Sequence, residues 1–169
     1  MNDLVEDFRR TVEYAAARLL AITEADAATR PAPTSWSAKE TLGHLIDSAT
    51  NNHRRFVLAQ LKDDLDFEGY AQEGWVGVQR YNDEPWPQLV ALWRLYNLHL
   101  AHVIAHAPEE RLKREHRLHT LHRIAFEVIE KEQPATLEYL MRDYVVHLKH
   151  HLGQILGEDH AGVDSSDAA

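Results

Sequence analysis

Val5, Phe8, Val12, Ala15, Leu19 and Ile22 recur at spacings of three and four, which places one apolar stripe on a helix over roughly residues 3–25. Pro31 and Pro33 then impose extended backbone. A second helix is expected to begin at Ser37: Ser37-Ala-Lys-Glu40 has the form of a capping box, and Trp36 stands in the staple position before it. Its buried stripe reads Thr41, Leu42, Leu45, Ala49, Phe56 and Leu61. Residues 63–84 are glycine-dotted, acidic and aromatic without a helical period, and read as a long loop. A loop of about twenty residues inside a compact domain is usually functional or disordered. Tyr70, Trp75 and Tyr81 favour an ordered one that folds over something.

The third helix opens near Pro85, with Leu89, Leu92, Trp93, Tyr96, Leu100 and Val103 on one face, and ends at His106-Ala107-Pro108. Residues 109–133 are charged and ambiguous; within them RIAFEVIE fits a short helix or an edge strand. The last helix begins after Pro134 with Thr136 as its cap and runs to about Leu156. Its stripe is Leu137, Leu140, Met141, Tyr144, Leu148, His151, Leu152 and Ile155, with His147 on the border. Four helices of about 20 residues with at least two long connections predict an all-α four-helix bundle of other than simple up-down order. One domain over residues 1–157 is expected, followed by a polar tail, 158–169, that should fray.

Charge narrows the partners. With 27 acidic against 18 basic residues the net charge is −9, which argues against a nucleic-acid backbone as partner, and no basic amphipathic stretch suits a membrane surface. The first residues form neither a signal peptide nor a membrane span, so the expected location is cytoplasmic. The absence of cysteine excludes disulfides, thiolate zinc sites and a cysteine nucleophile, so any thiol chemistry would bring its thiol as substrate.

Twelve histidines are the unusual count, and imidazole is the side-chain ligand left to such a chain beside carboxylate. His147 and His151 stand one turn apart on the last helix, where β-carbons are roughly 5–6 Å apart, close enough to share an ion. His44, on the second helix, flanks its buried stripe and can supply a third ligand, leaving an open position of the kind catalytic sites keep. The plain alternative is that these are core-edge histidines satisfied by hydrogen bonds. Asp143, one turn before His147, is a candidate to orient that imidazole, and Asp47 and Glu40 are candidates for His44. His99, His102 and His106 lie to one side of the apolar stripe and read as a solvated face. His116, His119 and His122 stand among Arg111, Lys113, Arg114, Arg117 and Arg123, which disfavour a bound cation, and read as a surface segment.

Trp36-Ser37, Glu40 and Leu42-Gly-His44-Leu-Ile-Asp47 resemble the second-helix signature of the DinB/YfiT-like superfamily, and Tyr144-Val-Val-His147-Leu-Lys-His150-His151-Leu-Gly-Gln154-Ile155 resembles its last-helix motif. Phe67-Glu-Gly-Tyr70, Trp75-Val, Gln79-Arg-Tyr81, Trp93 and Asn97 are similar to the DinB-like subgroup, so the likeness spans nearly the whole chain. The resemblance implies an up-down-down-up four-helix bundle, often a homodimer, with a divalent metal ion held by His44, His147 and His151. Zinc and nickel both suit three imidazoles.

The resemblance further implies a metal-dependent enzyme that activates water or a low-molecular-weight thiol, as a hydrolase or thiol S-transferase acting on a small molecule. The alternative is a non-catalytic dimeric stress-response or binding module whose metal is structural or vestigial, since no residue stands out as a general base. A di-iron carboxylate bundle is a third option, and the sequence speaks against it, because no glutamate is followed three positions later by histidine.

Overall fold

Ser37 and Glu40 close the expected capping box: the Ser37 hydroxyl accepts from the Glu40 N–H at 3.2 Å and the Glu40 carboxylate accepts from the Ser37 N–H at 2.9 Å. From that cap runs α3, Ala38–Leu61, in a computed structural model that describes residues 1–157. The expected tail, 158–169, lies outside the described residues. Three other long helices share the core with α3: α1 (Asn2–Leu20), α5 (Trp86–Ala105) and α8 (Leu137–Leu156). Four short ones fill the connections: α2 (Glu24–Ala28), α4 (Gln72–Gln79), α6 (Glu109–Lys113) and α7 (Leu121–Ile124).

Pairs across the bundle fix its directions. The Trp86 indole donates to the Leu19 carbonyl and Arg94 pairs with Glu13, so α1 and α5 run antiparallel. Lys39 at the start of α3 reaches the Glu84 carbonyl beside the start of α5, and His53 meets Tyr96, so α3 and α5 run parallel. His44 faces His147 and His151 while Phe56 packs on Tyr144, so α3 and α8 are antiparallel. This is the up-down-down-up order expected of the resemblance. The helices α1 and α3 sit on one diagonal, each packed against α5 and α8. Phe8, Phe56, Trp93 and Tyr144 fill the centre, with Tyr144 donating to the Asn97 side chain.

Thr136 caps α8 by accepting from the Tyr139 N–H at 3.1 Å, and Gly157 ends it with φ 68, the left-handed conformation that costs glycine little. Where the expectations fail, local chemistry gives the reason. The first helix stops at Leu20 and not near 25, because the Thr23 hydroxyl accepts from the Asp26 N–H and starts α2. Leu61 is 75% exposed and Leu92 also faces solvent, so neither belongs to its stripe. The 63–84 segment is not all loop: α4 and a 3-10 turn at Tyr81–Asp83 lie in it. Of α4 only Val76 is buried, so there was no apolar period to read.

Residues 109–133 form two short helices and no strand ladder, and RIAFEVIE is irregular after Ile124. His116 and His119 are 5% and 4% exposed, which corrects their assignment to a surface segment. The His116 ring bonds the Asp63 carbonyl, and the His119 ring joins the Gln133 carbonyl to the Leu121 N–H. Thr120 accepts from the Phe67 N–H and donates to the Phe67 carbonyl, completing a clasp between the 63–67 and 116–121 segments. Burying Leu65 and Leu121 under this clasp outweighs the cationic composition around it. Among the described residues, no helix is long and apolar enough to cross a membrane.

Candidate metal centre

His44, His147 and His151 meet at one end of the interface between α3 and α8, each offering a ring nitrogen within 4.8 Å of the other two. The Nε2 atoms of His44 and His147 are 3.2 Å apart, and the His147 and His151 ring centroids 4.6 Å. Two nitrogens bound tetrahedrally at about 2.0–2.1 Å from one ion stand roughly 3.4 Å apart, so the spacing fits a shared cation. Among the described residues no second group of three histidines or acids meets that spacing.

The protonation states also suit an ion. Burial, then the neighbouring His151, lowers His44 to about 4. Burial, then His151, His44 and His150, lowers His147 to about 3. His151 is lowered chiefly by burial as well. Neutral imidazoles keep a lone pair for a metal at neutral pH. The Gln154 carbonyl oxygen accepts from His151 Nδ1 at 2.8 Å, which leaves Nε2 free as a ligand. His147 Nδ1 lies 3.5 Å from the Ser48 hydroxyl. His44 Nδ1 is buried with no partner among the described residues, as is Asp47 Oδ2 one turn along the same helix.

None of the three carboxylates expected to orient the imidazoles does so. Asp143 accepts from the backbone N–H groups of Phe126 and Glu127 at 2.9 and 2.7 Å, fastening that loop over the site. Glu40 is taken by Arg30 and by its own cap. Asp47 accepts from Gln79 at 2.6 Å and from the Tyr81 hydroxyl at 2.7 Å, which ties the α4 segment to α3; burial nonetheless raises its pKa. The orienting groups are Ser48 and Gln154. Ser48 was legible as the residue one turn after His44 on the same face, and Gln154 as the residue three after His151.

Phe126 meets His147 edge-on and Trp36 leans against His44, apolar walls that limit water at the triad. Beside it opens a cleft of about 330 Å³, lined by His147, His151, Ser48, Arg55, Tyr70 and Asp143 among others. The volume is at the low end of the range of about 300–1,000 Å³ typical for small-molecule pockets. His99, His102 and His106 are exposed in a row along α5, as expected of a solvated face, and His53 joins the row at His99.

The family model of the DinB superfamily matches residues 7–155. The solved structure of YfiT from Bacillus subtilis, described as a probable metal-dependent hydrolase with an unusual four-helix bundle topology, is similar with a TM-score of 0.70 at 18% identity. The match covers 90% of this chain and 84% of that one, and at this identity it speaks to the fold. Among curated proteins none matches.

Proposed function

Because the chain belongs to the DinB superfamily, we propose that it is a metal-dependent enzyme in which His44, His147 and His151 hold one divalent ion, zinc or nickel. The observation that carries this is the convergence of three neutral imidazoles on one point, two of them on the lining of a cleft. Three protein ligands leave a position open, and an ion there lowers the pKa of a bound water or thiol. The printed description of YfiT supports hydrolysis as one outcome. A low-molecular-weight thiol is the other candidate nucleophile, supplied from outside because the chain has no cysteine.

The protein's own groups position and exclude. Gln154 and Ser48 hold the His151 and His147 rings, Asp143 anchors the 126–127 loop, and Phe126 and Trp36 keep bulk water from the triad. We place the enzyme in the cytoplasm, as a homodimer acting on a small molecule, with neither nucleic acid nor membrane as partner. The net charge of −9 supports the last point.

One observation favours the non-catalytic alternative: of the three carboxylates nearest the triad in sequence, Asp143 and Glu40 are committed to structural hydrogen bonds and Asp47 is tied through one oxygen to Gln79 and Tyr81, so none is aimed at the triad as a general base. The two are separated by experiment. Tag-free protein should contain about one equivalent of metal, lost in His44→Ala, His147→Ala and His151→Ala; full metal content in all three would refute the site. Metal-dependent turnover of an electrophile with cellular thiols, or of ester and amide substrates with water, would exclude a purely structural ion.

A further inference from the structure

The face of α3 that carries His44 continues through Ser48 and Asn52 to Arg55, at spacings of four, four and three. Arg55 is 5% exposed and lines the cleft beside the triad. Its guanidinium donates to the Glu68 carbonyl at 3.0 Å and reaches the Asn52 side-chain oxygen at 3.4 Å. Asn52 is itself held by the Ser48 carbonyl, so the arginine is aimed and not merely tolerated. Two bonds to neutral oxygens leave most of the five N–H donors of an arginine unassigned.

A buried guanidinium normally stands against a carboxylate. Among the described residues Arg55 has none in ion-pair contact. Asp143 faces the same cleft and attracts it, but both Asp143 oxygens are committed to the Phe126 and Glu127 N–H groups. The Tyr70 ring, packed on Trp75 at 4.9 Å, brings a hydroxyl to the same wall, and Arg123 adds an exposed cation on the cleft lining. A planar fork of donors in a small cleft matches a carboxylate. The charge of Asp143 on the same wall disfavours a dianion such as phosphate.

We propose that the substrate carries a carboxylate, gripped by Arg55 with Tyr70 at its side, while the reacting end of the molecule faces the histidine triad. The assignment of the triad as reaction centre rests on the proposed function; the anion site itself stands on Arg55. Substrate is thereby restricted to small carboxylates, and the guanidinium fixes which end enters first.

The test titrates acetate, hexanoate and benzoate, each against its neutral amide, and inorganic phosphate into tag-free full-length protein, both chelator-stripped and metal-loaded, by calorimetry. At least one carboxylate should bind tenfold or more tighter than its amide in the stripped protein, where no metal can supply the contact. Arg55→Gln should abolish that preference with metal content unchanged. Tyr70→Phe should weaken carboxylate binding two- to fivefold without affecting the amide, and serves if Arg55→Gln does not fold. Equal binding of carboxylates and amides, tighter binding of phosphate, or a preference that survives substitution would each overturn the proposal. A wild-type protein that binds carboxylate but no metal would refute the triad and leave the anion site standing.

Discussion

The Tyr81 ring occupies the space in which a side chain on Gly43 would stand, directly before His44 on α3. Only a residue without a β-carbon lets the ring lie there, and its hydroxyl then reaches Asp47 one turn further on. The glycine in Leu42-Gly-His44 is therefore a docking place for the 63–84 segment. Gly43→Ala should drive Tyr81 off the helix and break the Asp47 bond. Such overpacking costs about 1–3 kcal/mol, and in a domain of this size each kcal/mol lowers Tm by about 2–4 °C. A thermal melt indistinguishable from wild type would show that the ring has room to move.

Acidification should loosen the metal-free protein in a definite window. The unfolded chain protonates its histidines near pH 6.5, whereas burial holds His44 to about 4 and His147 to about 3 in the folded state. The unfolded state thus binds more protons between these values, and stability falls as pH drops from about 6.5 toward 4. Urea midpoints of stripped protein at pH 7.5 and 5 should show this loss, and His147→Gln should show less of it. Equal losses in both proteins would place the acid sensitivity elsewhere.

Gln154 offers a way to disturb the proposed ion without touching any of the three histidines proposed to hold it. Its oxygen accepts from His151 Nδ1 and its amide donates to His150. Removing a group that orients a ligating imidazole typically lowers metal affinity by about 10–100-fold. Gln154→Leu should do so in chelator competition while the metal-free melting temperature stays within a few degrees of wild type. Unchanged affinity would mean that the His151 ring is held by packing alone.

His119 should behave in the opposite way. Its ring bridges Gln133 and Leu121 in the buried clasp, far in sequence from the triad. His119→Ala leaves the buried Leu121 N–H unpaired, at about 1–3 kcal/mol, and frees the Gln133 carbonyl to solvent, so Tm should fall while metal content stays at the wild-type value. Lost metal at full stability would reverse its assignment.

The elements legible in the sequence are those the chain states locally. Ser37 with Glu40, and Thr136, announce their helices through side chains that bond their own backbone. The convergence of His44, His147 and His151 was also visible, because each lies on or beside an apolar stripe. The rest depends on distant partners. Gln72–Gln79 buries one residue and has no period to detect. His116 and His119 are surrounded by cations in sequence, yet their bonds go to carbonyls at 63 and 133. Arg55 shares the helix face of His44, but only the fold shows that among the described residues no carboxylate comes to meet it.

His44 and His147 are separated by 103 positions and touch through ring nitrogens. An ion gripping both would turn most of the polypeptide into a closed ring, and a permanent closure of about 100 residues removes about 4–5 kcal/mol of freedom from the unfolded chain. A dissociable ion leaves the unfolded chain open and acts instead by mass action, stabilising the fold with the logarithm of its free concentration above its dissociation constant. Supply of the ion would then shift the stability of the molecule as well as its reactivity.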